Sequence, residues 1–299
     1  MSNLKEIKNR IGATKSMRQV TRTMEMVSTA KIRGAQNRIE KTRPYVQSLA
    51  RILSSVTRAS KTVDHPLLAV RDEVKKVMVV SVASDRGQAG AFNANIIHLT
   101  EELIAEREAL GQEIDLIACG RRVVDYFNNQ GRTLDLQYQG FSGQPQLEDM
   151  KELAEYAIEQ YSNAEIDEIV LVYNRFISVG TQRAESSTLL PATVGDLEAA
   201  VGTDATEQDS AAELEYLFEP NAEAILSTLL PAFVEMLVSR SLLESAASEH
   251  AARRAAMKAA TDSAETMIKT LTRSYNRARQ AAITTEIAEI VGGAAALED

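Results

Sequence analysis

The sequence predicts a mixed fold class, α/β plus all-α: a Rossmann-like α/β domain inserted between two long terminal helices that form an antiparallel coiled coil. Three observations predict it. Apolar residues recur in steps of three and four at both ends of the chain, strand-like and helix-like segments alternate between those ends, and no glycine falls between Gly202 and Gly292.

The N-terminal segment, residues 1–58, opens with Leu4, Ile7 and Ile11. It runs on through Met17, Val20, Met24 and Val27 to Ile32, Ala35, Ile39, Thr42, Val46, Leu49, Leu53 and Val56. Such spacing keeps one stripe against a partner helix. The stripe slips phase between Thr14 and Met17 and again between Val27 and Ile32, which predicts local changes of supercoil. At about 1.5 Å per residue this helix reaches roughly 80 Å, too long to lie wholly on a compact domain.

Residues 59–219 read as the globular part. "VKKVMVVSVAS" (74–84) has the β-branched run of a buried strand, "NANIIHLTEELIAEREAL" is a helix, and "EIDLIACG" is a second strand. "RRVVDYFNNQG" is helical, "TLDLQY" is a third strand and "LEDMKELAEYAIEQYSN" a helix. "DEIVLVYNRF" and "TQRAESSTLLP" form a hairpin about "ISVG". The alternation predicts a mainly parallel, helix-covered sheet. Residues 195–212 read as an acidic loop, and "AELEYLF" as a last strand.

The C-terminal segment, residues 220–299, carries Pro220 and Pro231 near its start, where proline is tolerated or bends the first turns. Ala264, Ile268, Leu271, Tyr275, Ala278 and Ala282 make a stripe that Ile283, Ile287, Ile290 and Ala294 continue. About 75 uninterrupted residues span roughly 110 Å. Alanine, the best helix former, is abundant here. Wound antiparallel, each terminal stripe buries the other.

Composition narrows the function. The 299 residues are 44% hydrophobic and 25% charged, an ordinary globular balance. Aromatics at 5% with no Trp argue against stacking platforms, and Cys119, the only cysteine, excludes an internal disulfide and suggests a reducing compartment. No run of about 18 apolar residues is expected to span a membrane, and "MSNLKEIKNRIGATKSM" has no signal-peptide core. Charge is polarised. Residues 1–56 hold twelve Lys and Arg against three Glu, a local +9, which leaves −18 for the rest of a chain whose net charge is −9. Such polarity implies different partners for the two parts.

Motifs for chemistry are weak. "SDRGQAGAFN" (84–93) sits where a doubly wound fold holds phosphate, but with only Gly87 and Gly90 it makes neither the dinucleotide fingerprint nor a P-loop. A structural βα turn is the better reading. His65, His98 and His250 have no ligand-spaced companions, and Cys119 reads as a core residue. No cofactor, metal or catalytic residue is expected. Three readings stay open on the residues alone: a basic arm tracking nucleic-acid phosphates on an α/β nucleotide-binding protein, a basic helix meeting an acidic protein surface, and an oxidoreductase with a coiled-coil appendage.

"NLKEIKNRIGATKSMRQVTRTMEMVSTAKI" resembles the N-terminal helix of the gamma subunit of F-type ATP synthases, "SDRGQAGAFNANI" that family's central turn, and "ARQAAITTEIAEIVGGAAAL" its C-terminal signature. Gln88-Ala89 stands where members often have Leu-Cys, and the plastid cysteine pair is missing. The resemblance implies a non-catalytic central rotor shaft, one copy per complex, that couples proton-driven rotation of the c-ring to the catalytic beta subunits. Implied partners are three alpha and three beta subunits, epsilon and the c-ring, with neither nucleic acid nor membrane insertion. With no transit peptide, the cytoplasmic face of a bacterial cell membrane is implied.

Residue by residue, the resemblance assigns Arg22, Met24, Glu25, Met26 and Lys31 to an acidic lever on beta, and Arg279, Gln280, Thr284 and Glu286 to a beta catch loop. It places Glu249 and Arg253 where the helix leaves the ring, Tyr216 and Glu219 at the foot facing the c-ring and epsilon, and Ile287–Leu297 in an apolar bearing.

Overall fold

The computed structural model describes residues 2–59, 65–140, 143–193 and 222–298. The acidic loop, the proposed strand after it, and the foot residues Tyr216 and Glu219 lie outside the described residues. Helix α1 runs Ser2–Ala59, then come β1 (Lys76–Val82), α2 (Phe92–Ala109), β2 (Glu113–Cys119), α3 (Arg121–Asn129), β3 (Leu136–Tyr138), α4 (Leu147–Ser162), β4 (Glu168–Phe176), β5 (Gln182–Leu190) and α5 (Ala222–Glu298). Pro44 and Pro231 both sit inside helices, each removing one backbone bond to the preceding turn. Within α5 one 18-residue window reaches a mean hydropathy of 1.4, so an apolar stretch of membrane-spanning length does occur. Leu226, Leu230, Phe233, Val234 and Val238 of the same helix are core residues of the sheet domain.

By contacts the chain forms two units: residues 29–252, and residues 1–28 together with 253–299. In the first, the sheet has the order β3-β2-β1-β4-β5. β1 pairs in parallel with β2 and β4, β2 in parallel with β3, and β5 closes the edge antiparallel to β4. This is the predicted parallel sheet with its hairpin. β1 is almost wholly buried because both faces are covered. Its alternate residues divide: Val77 and Val79 join Ile96, Ile104, Val123 and Phe127 of α2 and α3, while Met78, Val80 and Val82 turn to the opposite face.

That opposite face holds more than the sequence suggests. Besides Leu153 of α4, it gathers Leu49, Leu53 and Val56 of α1 with Leu226, Leu230 and Phe233 of α5. The inner ends of both long helices are therefore core elements of the sheet domain. They are more than attachments to it, and the contact-defined unit cuts across boundaries drawn at residues 58 and 220.

In the second unit α1 and α5 run antiparallel. The Oγ1 atoms of Thr21 and Thr261 lie 2.8 Å apart, Arg18 Nη1 is 3.5 Å from Glu265 Oε1, and Thr14 Oγ1 is 3.8 Å from Met267 Sδ. On α5 the inward residues are Met257, Thr261, Ala264, Ile268, Leu271, Tyr275 and Ala278, so the predicted stripe holds from Ala264 to Ala278, whereas its predicted continuation through Ala282, Ile283, Ile287 and Ile290 is exposed. Every described side chain from Ala281 to Val291 is exposed, because α1 has ended beside that level.

On α1 the inward residues depart from the predicted stripe. Met17, Val20 and Val27 are 59, 54 and 52% exposed. The seam instead passes through Ile11, Thr14, Arg18, Thr21, Glu25 and Ser28, all buried or half-buried, and continues to Ile32. From Leu4 to Val56 the steps then alternate three and four without interruption. The predicted phase slips do not occur. The coiled coil keeps one register by accepting polar residues in its seam.

Candidate functional site

Two places qualify as candidates: the crevice beyond the carboxyl ends of β1 and β4, and the helical surfaces of the second unit. In the crevice, Ser84 ends the run out of β1, and its N–H donates to Asn93 Oδ1 at 3.0 Å. Asp85 Oδ1 accepts from the N–H of Arg121 at 3.1 Å and of Gly140 at 2.9 Å. The N-terminus of α3, a natural anion position, is thus taken by a carboxylate of the chain itself. Gly87 lies against the Arg122 guanidinium, where a Cβ would come within 2.8 Å of Nη2. Asn174 Nδ2 donates to the Phe92 carbonyl at 3.5 Å, and Ser248 Oγ from α5 donates to the Asn174 carbonyl at 3.0 Å. These contacts lie where open α/β sheets hold a dinucleotide, beside a turn that carries only Gly87 and Gly90.

Burial pushes the Cys119 thiol up to about 12, with Asp85 adding to the effect, so it stays protonated. His65 accepts from the Leu67 N–H and is lowered chiefly by burial, His98 stands 3.5 Å from Glu102 on the surface of α2, and His250 Nε2 donates to the Gly143 carbonyl at 2.8 Å. Among the described residues no group of three His, Cys, Asp or Glu side chains is placed to hold a metal.

The helical surfaces divide the predicted lever set. With 3.6 residues per turn, Arg22 and Met26 share one side of α1, while Met24 and Lys31 share the other. Glu25 is half-buried in the seam between them, and Arg22, Met26 and Lys31 are exposed. The catch residues Arg279, Gln280, Thr284 and Glu286 are all exposed on α5, with Gln280 and Thr284 one turn apart. Thr284 Oγ1 donates to the Gln280 carbonyl at 2.9 Å, which leaves its lone pairs facing outward. Ile283, Ile287, Ile290 and Val291 are exposed as well, and the side chains beyond Val291 lie outside the described residues. Glu249 and Arg253 are only 3 and 7% exposed. Burial within the chain leaves them little surface for a partner.

What the sequence reading missed is the seam of Thr14, Arg18, Thr21, Glu25 and Ser28. The signal was present as unbroken three-four spacing from Leu4 to Val56.

Fold and surfaces together define a two-part protein, with a doubly wound sheet in one unit and an antiparallel coiled coil of the terminal helices in the other. The ATP synthase family model matches residues 3–297. The chain is 43% identical over 298 residues to the ATP synthase gamma chain of Pelotomaculum thermopropionicum, covering 100% of both. It is 44% identical over 300 residues to that of Chlorobium chlorochromatii, covering 99% of both. A rotor structure of the Euglena gracilis mitochondrial ATP synthase superposes with a TM-score of 0.62 at 19% identity, covering 94% of this chain and 99% of that one. The chain belongs to the ATP synthase gamma chain family, the central-stalk rotor of that machine.

Proposed function

We propose that the chain is a non-catalytic shaft, present once per complex, that turns inside three alpha and three beta subunits. It stands with epsilon on the c-ring at the cytoplasmic face of a bacterial membrane. The carrying observation is the antiparallel pairing of α1 and α5, where the Thr21 and Thr261 hydroxyl oxygens lie 2.8 Å apart in the buried seam. The outward basic residues Lys15 and Arg22 suit an acidic lever on beta, since exposed ion pairs of about 0–1 kcal/mol form and release without trapping a rotor. Arg279, Gln280, Thr284 and Glu286, all outward-facing, suit a catch loop. The direct test mixes the purified chain with alpha and beta subunits. The chain alone should hydrolyse no ATP, and the mixture should regain coupled ATPase. Hydrolysis by the isolated chain, or failure to assemble, would overturn the reading.

A further inference from the structure

The hairpin of β4 and β5 carries a pair of charges that costs the sheet domain stability. In the antiparallel register Arg175 lies directly opposite Arg183, and Tyr173 directly opposite Glu185. Alternate residues of a strand share a face, so all four lie on one side of the sheet. It is the side packed on α5, because Tyr173 belongs to the core cluster that contains Leu230, Phe233 and Val234. Like charges directly opposed across a strand pair are destabilising.

Among the described residues, Glu185 alone offsets this pair. Its Oε2 atom is 3.8 Å from Arg175 Nη1 and 3.8 Å from Arg183 Nη2, too long in both cases for a hydrogen bond. Its Oε1 atom is already committed, accepting from the Tyr173 hydroxyl at 2.9 Å. Burial, with Glu244 and Glu185 adding to it, pushes that hydroxyl above its ordinary range, so it stays a donor. Glu244 of α5 is itself buried and accepts from Arg240 Nε at 2.9 Å. Three guanidiniums thus stand with two carboxylates, which leaves one positive charge in excess. The excess lies outward: the Arg175 and Arg183 side chains are 50 and 69% exposed, and that of Glu185 only 20%.

From this we infer that Arg175 and Arg183 form a clamp for a single carboxylate, an Asp or Glu side chain of a partner subunit. Charge and shape both select that ligand. Adjacent strands set the two arginines about 5 Å apart at their bases, and guanidinium forks match the two oxygens of a carboxylate. One carboxylate cancels the excess charge, whereas a phosphate dianion would overshoot it. The shaft reading above supplies the partners, alpha, beta and epsilon. The clamp adds to it a contact on the sheet domain, made by residues outside the lever and catch sets.

A ligand clamp and a structural ion pair predict opposite results. In the isolated chain, Arg183→Gln relieves the repulsion and gives up only one long, exposed ion pair, so the urea midpoint should hold or rise. In the chain assembled with alpha, beta and epsilon, the same change should weaken binding about fivefold at low salt, the scale of one exposed ion pair. The loss should shrink at high salt. A lower midpoint in the isolated chain would make the pair structural, and unchanged affinity in the complex would leave the clamp without a ligand; either overturns the inference. A photo-cross-linker at Ile177, exposed just beyond β4, supplies a second readout. Capture of a partner segment that carries Asp or Glu supports the clamp. Capture of a segment without them, or of this chain's own residues 195–212, overturns it. Failure of the unmodified chain to assemble would strike the shaft reading instead.

Discussion

Thr21 and Thr261, 240 residues apart in sequence, place their hydroxyl oxygens 2.8 Å apart in the buried seam of the coiled coil. Each hydroxyl also lies within reach of a carbonyl on its own helix, Thr21 to Arg18 at 3.0 Å and Thr261 to Met257 at 2.9 Å. One proton can bridge the helices while the other satisfies its own backbone. The pair lines up only in one register, which is the service a polar seam residue gives a coiled coil at some cost in stability.

Replacing Thr21 alone with Val should therefore destabilise the pairing by about 1 kcal/mol, the net worth of one buried hydrogen bond. The double change Thr21→Val with Thr261→Val should recover most of that loss. A double-mutant cycle on urea melts reads the coupling. Disulfide trapping between cysteines placed across the seam, in a Cys119→Ser background, should show added registers in the double variant. Additive single effects would deny the link.

This seam marks the boundary of what was legible. The sheet was readable because β1 and β4 concentrate Val, Ile and Leu between polar turns, so period and composition agreed. The turn after β1 was half-readable: with only Gly87 and Gly90 it falls one glycine short of the dinucleotide fingerprint, but nothing local announced that Ser248, 74 residues beyond Asn174, would donate to the Asn174 carbonyl. The α1 seam misled because apolarity stood in for burial. Met17, Val20 and Val27 are apolar and exposed, while Thr21 and Ser28 are polar and buried. In a two-helix contact small hydroxyls that bond to their own backbone can be buried cheaply, so the spacing was the better guide.

Cys119 should resist alkylation in the native chain and react on unfolding. Its thiol is raised by burial to about 12 from an ordinary 8.5 or so, so the fold favours the protonated form. That contribution to stability is complete below the unfolded pKa and is lost as pH rises from about 8.5 toward 12. Maleimide labelling between pH 7 and 8.5 should be slow in buffer and fast in urea. Rapid native labelling would place the thiol at the surface.

Gly120 occupies the left-handed region at φ 104°, and a Cβ there would meet the Ala83 carbonyl oxygen at 2.2 Å. Because Ala83 donates its N–H to the Cys119 carbonyl at 2.8 Å, neither backbone can withdraw without opening the ends of β1 and β2. Gly120→Ala should cost about 3 kcal/mol or more, visible as a lower urea midpoint for the sheet domain. An unchanged midpoint would mean that the turn can relax.

Asp85 closes α3 with hydrogen bonds from Arg121 and Gly140. Asp85→Ala should lower stability by about 1–2 kcal/mol, the range for losing a helix cap. Asp85→Asn, which keeps an acceptor oxygen, should lose less. Equal losses in the two would show that the carboxylate charge matters and the acceptor alone does not.

The last part of α5 supplies a prediction about assembly. From Met257 to Ala278 one side of the helix is covered by α1, whereas every described side chain from Ala281 to Val291 is exposed, with Ile283, Ile287 and Ile290 among them. An uncovered helix holds only its own marginal propensity, since most helical stability comes from packing an apolar face. In the isolated chain, amide hydrogens of residues 281–291 should exchange at least tenfold faster than those of 257–278. Once alpha and beta enclose the chain, the isoleucines gain a partner and the difference should shrink. Protection of 281–291 in the isolated chain would mean that this segment is already packed. No change on assembly would mean that the alpha–beta ring leaves it bare.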